Sequence, residues 1–128
     1  MLDPFAFAYD WQAPLVLEVL TERLSDGVLV QDITYASPHG GKVPAYLIVP
    51  SQQQPQAGLI FGHWGEGNRE EFVQEAIVLA RLGFVSLCLD SPHRRAAVYE
   101  PQRAEPQAEL QWIVDGAVFL LHRFVVCD

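Results

Sequence analysis

Two short, uninterrupted apolar runs, AGLIFGH at 57–63 and FVSLCLD at 84–90, constrain this chain more than any other feature. Each is too short for a buried helix. Each is apolar at both parities, the pattern of a strand covered on both faces. Between them, REEFVQEAIVLARLG (69–83) places Phe72, Ala76, Leu79 and Ala80 on one side of a helix. Glu70 and Glu71 fall in its first turn, where they suit the helix dipole, and Gly83 stops it. Strand, amphipathic helix and strand make a βαβ unit, which requires a parallel sheet with a right-handed crossover.

Upstream, VLVQDITYAS (28–37) and VPAYLIVP (43–50) are β-branched and partly alternating, and PHGGK (38–42) joins them tightly. They predict an antiparallel hairpin. Ahead of it, APLVLEVLTERLSDG (13–27) has Leu17, Leu20 and Leu24 at helical spacing and Gly27 as a stop, so an N-terminal amphipathic helix is expected. SQQQPQ (51–56) is a polar connector, and SPHRRAAVYEPQRAEP (91–106) is a loop rich in proline and charge. QAELQWIVDGAVFLLHRF (107–124) predicts a helix carrying Leu110, Ile113, Val114, Ala117, Leu120 and Leu121, weakened locally by Gly116. The expected fold class is α/β: one domain over 1–128, with about four strands, an antiparallel hairpin and then a parallel pair, and helices on both faces.

The totals narrow the function. The 128 residues suffice for one small core, and half of them are hydrophobic, which argues against disorder. The formal net charge of -8 disfavours nucleic acid and anionic membrane surfaces as partners. Cys88 lies in an apolar run and Cys127 near the end; neither a disulfide framework nor a metal-type spacing results, and no cofactor is expected. MLDPFAFAYDWQ at the start is acidic and broken by Pro4, unlike a signal peptide. No apolar run approaches the ~20 residues of a membrane span. A cytoplasmic protein is expected.

Function turns on GLIFGHWGEGNREEF (58–72), which spends Gly62, Gly65 and Gly67 between a strand and a helix. Glycines there permit a sharp turn and a close approach to backbone N–H groups. One reading is a dinucleotide-binding module using Gly65, Gly67 and the distant Asp90. Against it, Glu70 stands where the fingerprint needs its third glycine, and a carboxylate at that helix start opposes a pyrophosphate. An antiparallel hairpin also precedes the strand, where a Rossmann unit would open its sheet.

The other reading comes from a resemblance. ITYASPHGGKVPAYLIVPSQ, GLIFGHWGEGNREEF and AIVLARLGFVSLCLDSPHRR, in this order and spacing, resemble the opening of an α/β-hydrolase. The likeness is greatest to the dienelactone hydrolase and acetyl-esterase-like branch. It covers nearly the whole chain and implies that the chain represents the N-terminal half of a serine esterase. The resemblance also implies that His63, Trp64 and Gly65 form the loop supplying one oxyanion-hole N–H. The family often has His-Gly where this chain has His63-Trp64-Gly65, so the donor is either Trp64 or Gly65. Asp90 and His93, in the loop after the next strand, are candidates to line a pocket, and Asp90 is better suited to orienting a loop by accepting backbone N–H bonds.

The departure from the family is larger than the likeness in one respect. The nucleophile elbow, G-x-S-x-G, belongs after the helix at 107–124, and AVFLLHRFVVCD leads only towards it. Ser25, Ser37, Ser51, Ser86 and Ser91 lack flanking glycines at elbow spacing. His63 suits a structural role in its loop, His39 lies in a turn, and His122 near a helix end. Trp11, Trp64 and Trp112 are packing candidates, with Trp64 also placed to line a cleft. No catalytic residue is assigned, and no hydrolysis is expected of the chain alone. A truncated gene product, one half of a split enzyme and a standalone binding module all fit. The strand at 59–62 would lose its neighbour, so a homo-oligomer or a complementing chain is expected along its edge.

Overall fold

The computed structural model describes residues 12–95 and 106–126. They build β1 (Glu18–Ser25), β2 (Val28–Ala36), β3 (Lys42–Pro50), β4 (Ala57–Phe61), α1 (Val73–Ala80), β5 (Phe84–Leu89), α2 (Pro92–Arg95) and α3 (Pro106–Leu121). A π-helical turn, His122–Val126, prolongs α3. The five strands form one sheet in the order β1-β2-β3-β5-β4. β2 and β3 are the antiparallel hairpin, β3 meets β5 antiparallel, and β4 runs parallel to β5, as the βαβ pattern requires.

Alternation within the strands divides the core. Ile33, Tyr35, Val43, Ala45, Leu47, Val85, Leu87 and Leu89 gather on one face around Phe119 of α3. Val28, Val30, Ile48 and Cys88 meet Val73, Ala76, Ile77 and Ala80 of α1 on the other. The result is three layers: helix, sheet, helix. Cys88, nearly fully buried, has its thiol pushed up to about 12 by burial, with Glu75 adding to the shift. No helix among the described residues is long and apolar enough to cross a membrane.

The helix expected at 13–27 is a strand, which makes the sheet five-stranded. The reason is local. Asp26 and Gly27 both take positive φ, 50° and 77°, the two-residue turn that suits the right-handed twist of a hairpin. It folds β1 back so that Ser25 pairs with Val28 and Leu24 with Leu29. Tertiary pairing thus overrides the helical spacing of Leu17, Leu20 and Leu24. Leu20 and Leu24 remain 55% and 67% exposed.

Two smaller corrections concern helix ends. Glu70 and Glu71 lie ahead of α1 in tight i→i+3 turns, where Glu71 N–H donates to Asn68 O and Val73 N–H to Glu70 O; Glu75 is the acidic residue of the first turn. Residues 122–124, expected to close the helix, and 125–126, expected to lead into an elbow strand, wind on together as the π turn, whose i→i+5 bonds occupy the last helical carbonyls.

Helix α3 is docked by an Asp-Gly pair. Asp115 is fully buried, and its Oδ1 accepts the Ser37 hydroxyl at 2.6 Å while its main-chain oxygen accepts Tyr35 Oη–H at 2.8 Å. Both partners come from the end of β2. One residue on, a Cβ at Gly116 would stand 2.9 Å from Cγ2 of Ile60 on β4. Gly116, which weakens the helix intrinsically, is what lets α3 lie this close to the sheet.

Candidate functional site

The parallel strands β4 and β5 end side by side, and the loops at 62–69 and 90–95 leave their carboxyl ends together. In open α/β sheets that is where ligands are bound. Asp90 is 5% exposed, and its carboxylate turns towards the first loop. It accepts the Arg69 backbone N–H at 2.8 Å and Nη1 of the same residue at 3.1 Å. The Arg69 guanidinium also reaches Asp32 at 3.4 Å and lies 5.1 Å above the Tyr46 ring. Burial alone would lower the Arg69 pKa, but Asp90 and then Asp32 outweigh it and hold the pKa above its ordinary value. Burial, and next Asp32, raise that of Tyr46, whose hydroxyl lies 3.4 Å from Glu70 Oε1. An open cleft of about 450 Å³ borders this cluster, lined by Thr21, Glu22, Asp32, Tyr46, Glu70 and other residues of β1 and α1.

His63 holds the two loops together. Its Nε2 accepts the Ser91 N–H at 3.0 Å, which assigns the proton to Nδ1, and Nδ1 donates to Trp64 O at 2.6 Å. Both ring nitrogens are therefore occupied, and the ring leans on Trp112 at 4.9 Å. Trp112 donates its indole N–H to Leu89 O at 3.3 Å and packs against the core on the α3 face. Trp64 is 67% exposed and touches Phe72 only at a tilt, at 6.2 Å. Trp11 lies outside the described residues.

The loop between is a tight turn in which Gly67 N–H donates to Trp64 O at 2.8 Å. A Cβ at Gly65 would meet only open space. Asn68 Oδ1 accepts the Glu70 N–H at 2.8 Å, and Arg94 of α2 reaches back, Nε donating to Gly67 O at 2.6 Å and Nη2 to Glu66 O. His93 sits in the same one-turn helix, and its side chain lies outside what is described. His39 lies 4.0 Å from the buried Asp115, away from this site. Ser86 Oγ is buried in β5 with no partner among the described residues. None of the described hydrogen bonds joins a serine hydroxyl to a histidine ring. No group of three or more potential metal ligands occurs among the described residues.

The structure thus brings His63, Trp64, Gly65 and Asp90 to one end of the sheet. It adds Arg69, Arg94, Asp32 and Tyr46, which sequence reasoning did not single out. Arg69 follows Asn68 in the glycine turn, but its partner is 21 residues away and is recognisable only once β4 and β5 are neighbours.

No protein-family model matches the chain, and neither does any curated protein sequence. Solved structures do. Acetyl xylan esterase 1 from Thermoanaerobacterium sp. JW/SL YS485 superposes with a TM-score of 0.67 at 12% identity, over 93% of this chain and 44% of that one. An acetyl xylan esterase from Paenibacillus sp. R4 gives 0.54 at 23% identity, over 73% and 30%. A cold-adapted esterase from an Arctic intertidal metagenomic library, in complex with PEG, gives 0.53 at 14%, over 84% and 46%. The chain spans less than half the length of each. At these identities the likeness is one of architecture, and it establishes a partial α/β-hydrolase fold of the kind these esterases possess.

Proposed function

We propose that the chain is an esterase-like module that contributes the oxyanion side of an ester-cleaving site through His63, Trp64 and Gly65, and that it does not hydrolyse esters by itself. The observation that carries this reading is the polarity of the loop. The Trp64 carbonyl is taken by two internal donors, whereas the Trp64 N–H has no acceptor among the described residues. A loop built this way suits a developing negative oxygen, and one such donor contributes about 3 kcal/mol of barrier lowering in enzymes that use it. With both nitrogens engaged, His63 builds the loop and is not a base. Nucleophile, acid and base must come from elsewhere.

Within the fold we place the chain in the dienelactone hydrolase and acetyl-esterase-like branch, as the N-terminal half, and in the cytoplasm. Acetyl esters are the first substrates to test, since two of the structural neighbours are named for acetyl xylan. The missing groups would arrive with another polypeptide segment or a complementing chain laid along the edge of β4; a second copy could pair with that edge but brings no nucleophile elbow of its own. Asp90 is held by Arg69, which weighs against its serving as the ribose-binding carboxylate of the dinucleotide reading.

The test is turnover of chromogenic acetyl and butyryl esters against a buffer blank. The purified chain is expected to match the blank. Turnover abolished by a serine-directed organophosphate would refute the proposal.

A further inference from the structure

We infer that Arg94 is the positioning residue of the loop at 63–68, setting which way its peptide units face. The inference rests on the oxyanion reading of that loop for its functional meaning, though not for its geometry.

Among the described hydrogen bonds, four carbonyl oxygens of the loop have protein donors. Trp64 O takes Gly67 N–H and His63 Nδ1–H, Asn68 O takes Glu71 N–H, and the remaining two, Glu66 O and Gly67 O, both go to Arg94. In a trans peptide the C=O and the following N–H point in opposite directions. By drawing the Glu66 and Gly67 carbonyls to itself, Arg94 turns the Gly67 N–H back to Trp64 O, closing the turn. It also directs the Asn68 N–H to the side opposite the guanidinium.

Without Arg94, two carbonyl dipoles would be free to rotate towards an incoming anionic oxygen and repel it. Nothing in glycine backbone preference would prevent this, because Gly65 and Gly67 tolerate most conformations. A guanidinium suits this role because its donors are fixed in a plane. It can therefore hold two carbonyls at once, which an ammonium cannot do with the same geometry. The base of Arg94 is itself anchored. Arg94 N–H donates to Ser91 O at 2.9 Å, Ser91 N–H to His63 Nε2 at 3.0 Å, and Asp90 N–H to Pro44 O at 3.0 Å. The segment after β5 therefore dictates the shape of the loop after β4.

The test uses the full chain and amide hydrogen exchange read residue by residue by NMR, with Trp64 emission as a second signal. In Arg94→Gly, the Gly67 amide is expected to exchange about tenfold faster or more, since bonds to a charged donor are being removed. Core amides such as Leu47 and Leu87 should stay as they are. Millimolar guanidinium should restore Gly67 protection in Arg94→Gly and leave the unsubstituted chain unchanged. Arg94→Lys should restore it only in part. Unaltered Gly67 exchange in Arg94→Gly overturns the inference. So does uniform loss of protection across the sheet that guanidinium does not reverse, which would make Arg94 an ordinary stabilising residue. Failure of the esterase reading would register separately, as ester turnover by the isolated chain, and leaves these exchange rates untouched.

Discussion

The sheet has two outer edges, β1 and β4, and they differ in how far they are protected against another chain. β1 is eight residues long and exposed nearly throughout, with Leu20 and Leu24 in solvent. Yet it carries Glu18, Glu22 and Arg23, and its register slips between Val19 and Thr21. Charge and irregular pairing are the usual means of blunting an edge against other chains. β4 is only five residues, AGLIF, and no charged residue occurs from Ala57 to Gly65. Its Ile60 is 41% exposed, Leu121 of α3 is 40% exposed, and a groove of about 330 Å³ lined by Gly58, Leu120 and Phe124 runs beside it. Exposed apolar area alone does not identify a docking edge: β1 has more of it. What sets β4 apart, among the described residues, is that neither charge nor irregular pairing opposes a second strand.

The sharpest way to break this contrast is to charge each edge in turn. If β4 is the assembly edge, the chain runs above monomer mass in light scattering after size exclusion, and Ile60→Lys returns it to monomer. Leu24→Lys on β1 leaves the mass as it was. A monomer before any substitution, or a dimer indifferent to Ile60→Lys, removes β4 from consideration.

Next in size is the packing beneath each edge. Gly116→Val forces methyl groups into the space of Ile60, where even the Cβ stands 2.9 Å from Cγ2, and should cost about 1–3 kcal/mol in urea unfolding. Leu20→Ala, on the solvent-exposed β1, should stay within about 0.5 kcal/mol.

A third difference is chemical. Phe61 of β4 pairs with Cys88, whose thiol folding pushes from 9.0 up to about 12. The native thiol keeps its proton after the unfolded chain has lost it. Stability is therefore unaffected below about pH 9 and falls as pH rises towards 12, by on the order of 1 kcal/mol at pH 10. Denaturation midpoints measured across that range should show the decline, and Cys88→Ala should flatten it. The raised Tyr46 pKa acts in the same direction and leaves a residual slope.

The smallest effect belongs to β1. Glu18 and Lys42 lie 3.3 Å apart, half or more exposed, and Glu18→Gln should shift the urea midpoint by the equivalent of less than about 0.5 kcal/mol.

The same two strands show what a sequence can and cannot disclose. The β4-α1-β5 unit was legible because two continuous apolar runs flank a helical pattern, although only β5 is buried as such a run implies; β4, expected to be covered on both faces, is an edge strand with no buried residue. β1 was not legible, because Leu17, Leu20 and Leu24 satisfy helical spacing while the deciding signal is the Asp26-Gly27 turn, which matters only if β2 accepts a neighbour. At the site, the glycines announced the loop, and His63 to Gly65 lie where the strand-loop-helix pattern placed them. Arg69 and Arg94 stayed hidden. Their partners Asp90 and Gly67 are 21 and 27 positions away, and surface-type arginines look alike in sequence until the strands that carry the loops are set side by side.

The strand order has a consequence for how the chain is made. β4 precedes β5 in sequence but lies outside it, and its one neighbour among the described strands is β5. As the polypeptide leaves the ribosome, the β1-β2-β3 meander can zip up through contacts close in sequence. β4 then emerges with no strand to join until residue 89 has followed. Pairing with a distant, later segment is the slow part of β-sheet formation, and an unpaired apolar strand invites wrong partners while it waits. AGLIF is thus a segment that must be shielded in time as well as in space, and synthesis paused between residues 61 and 84 would expose it longest.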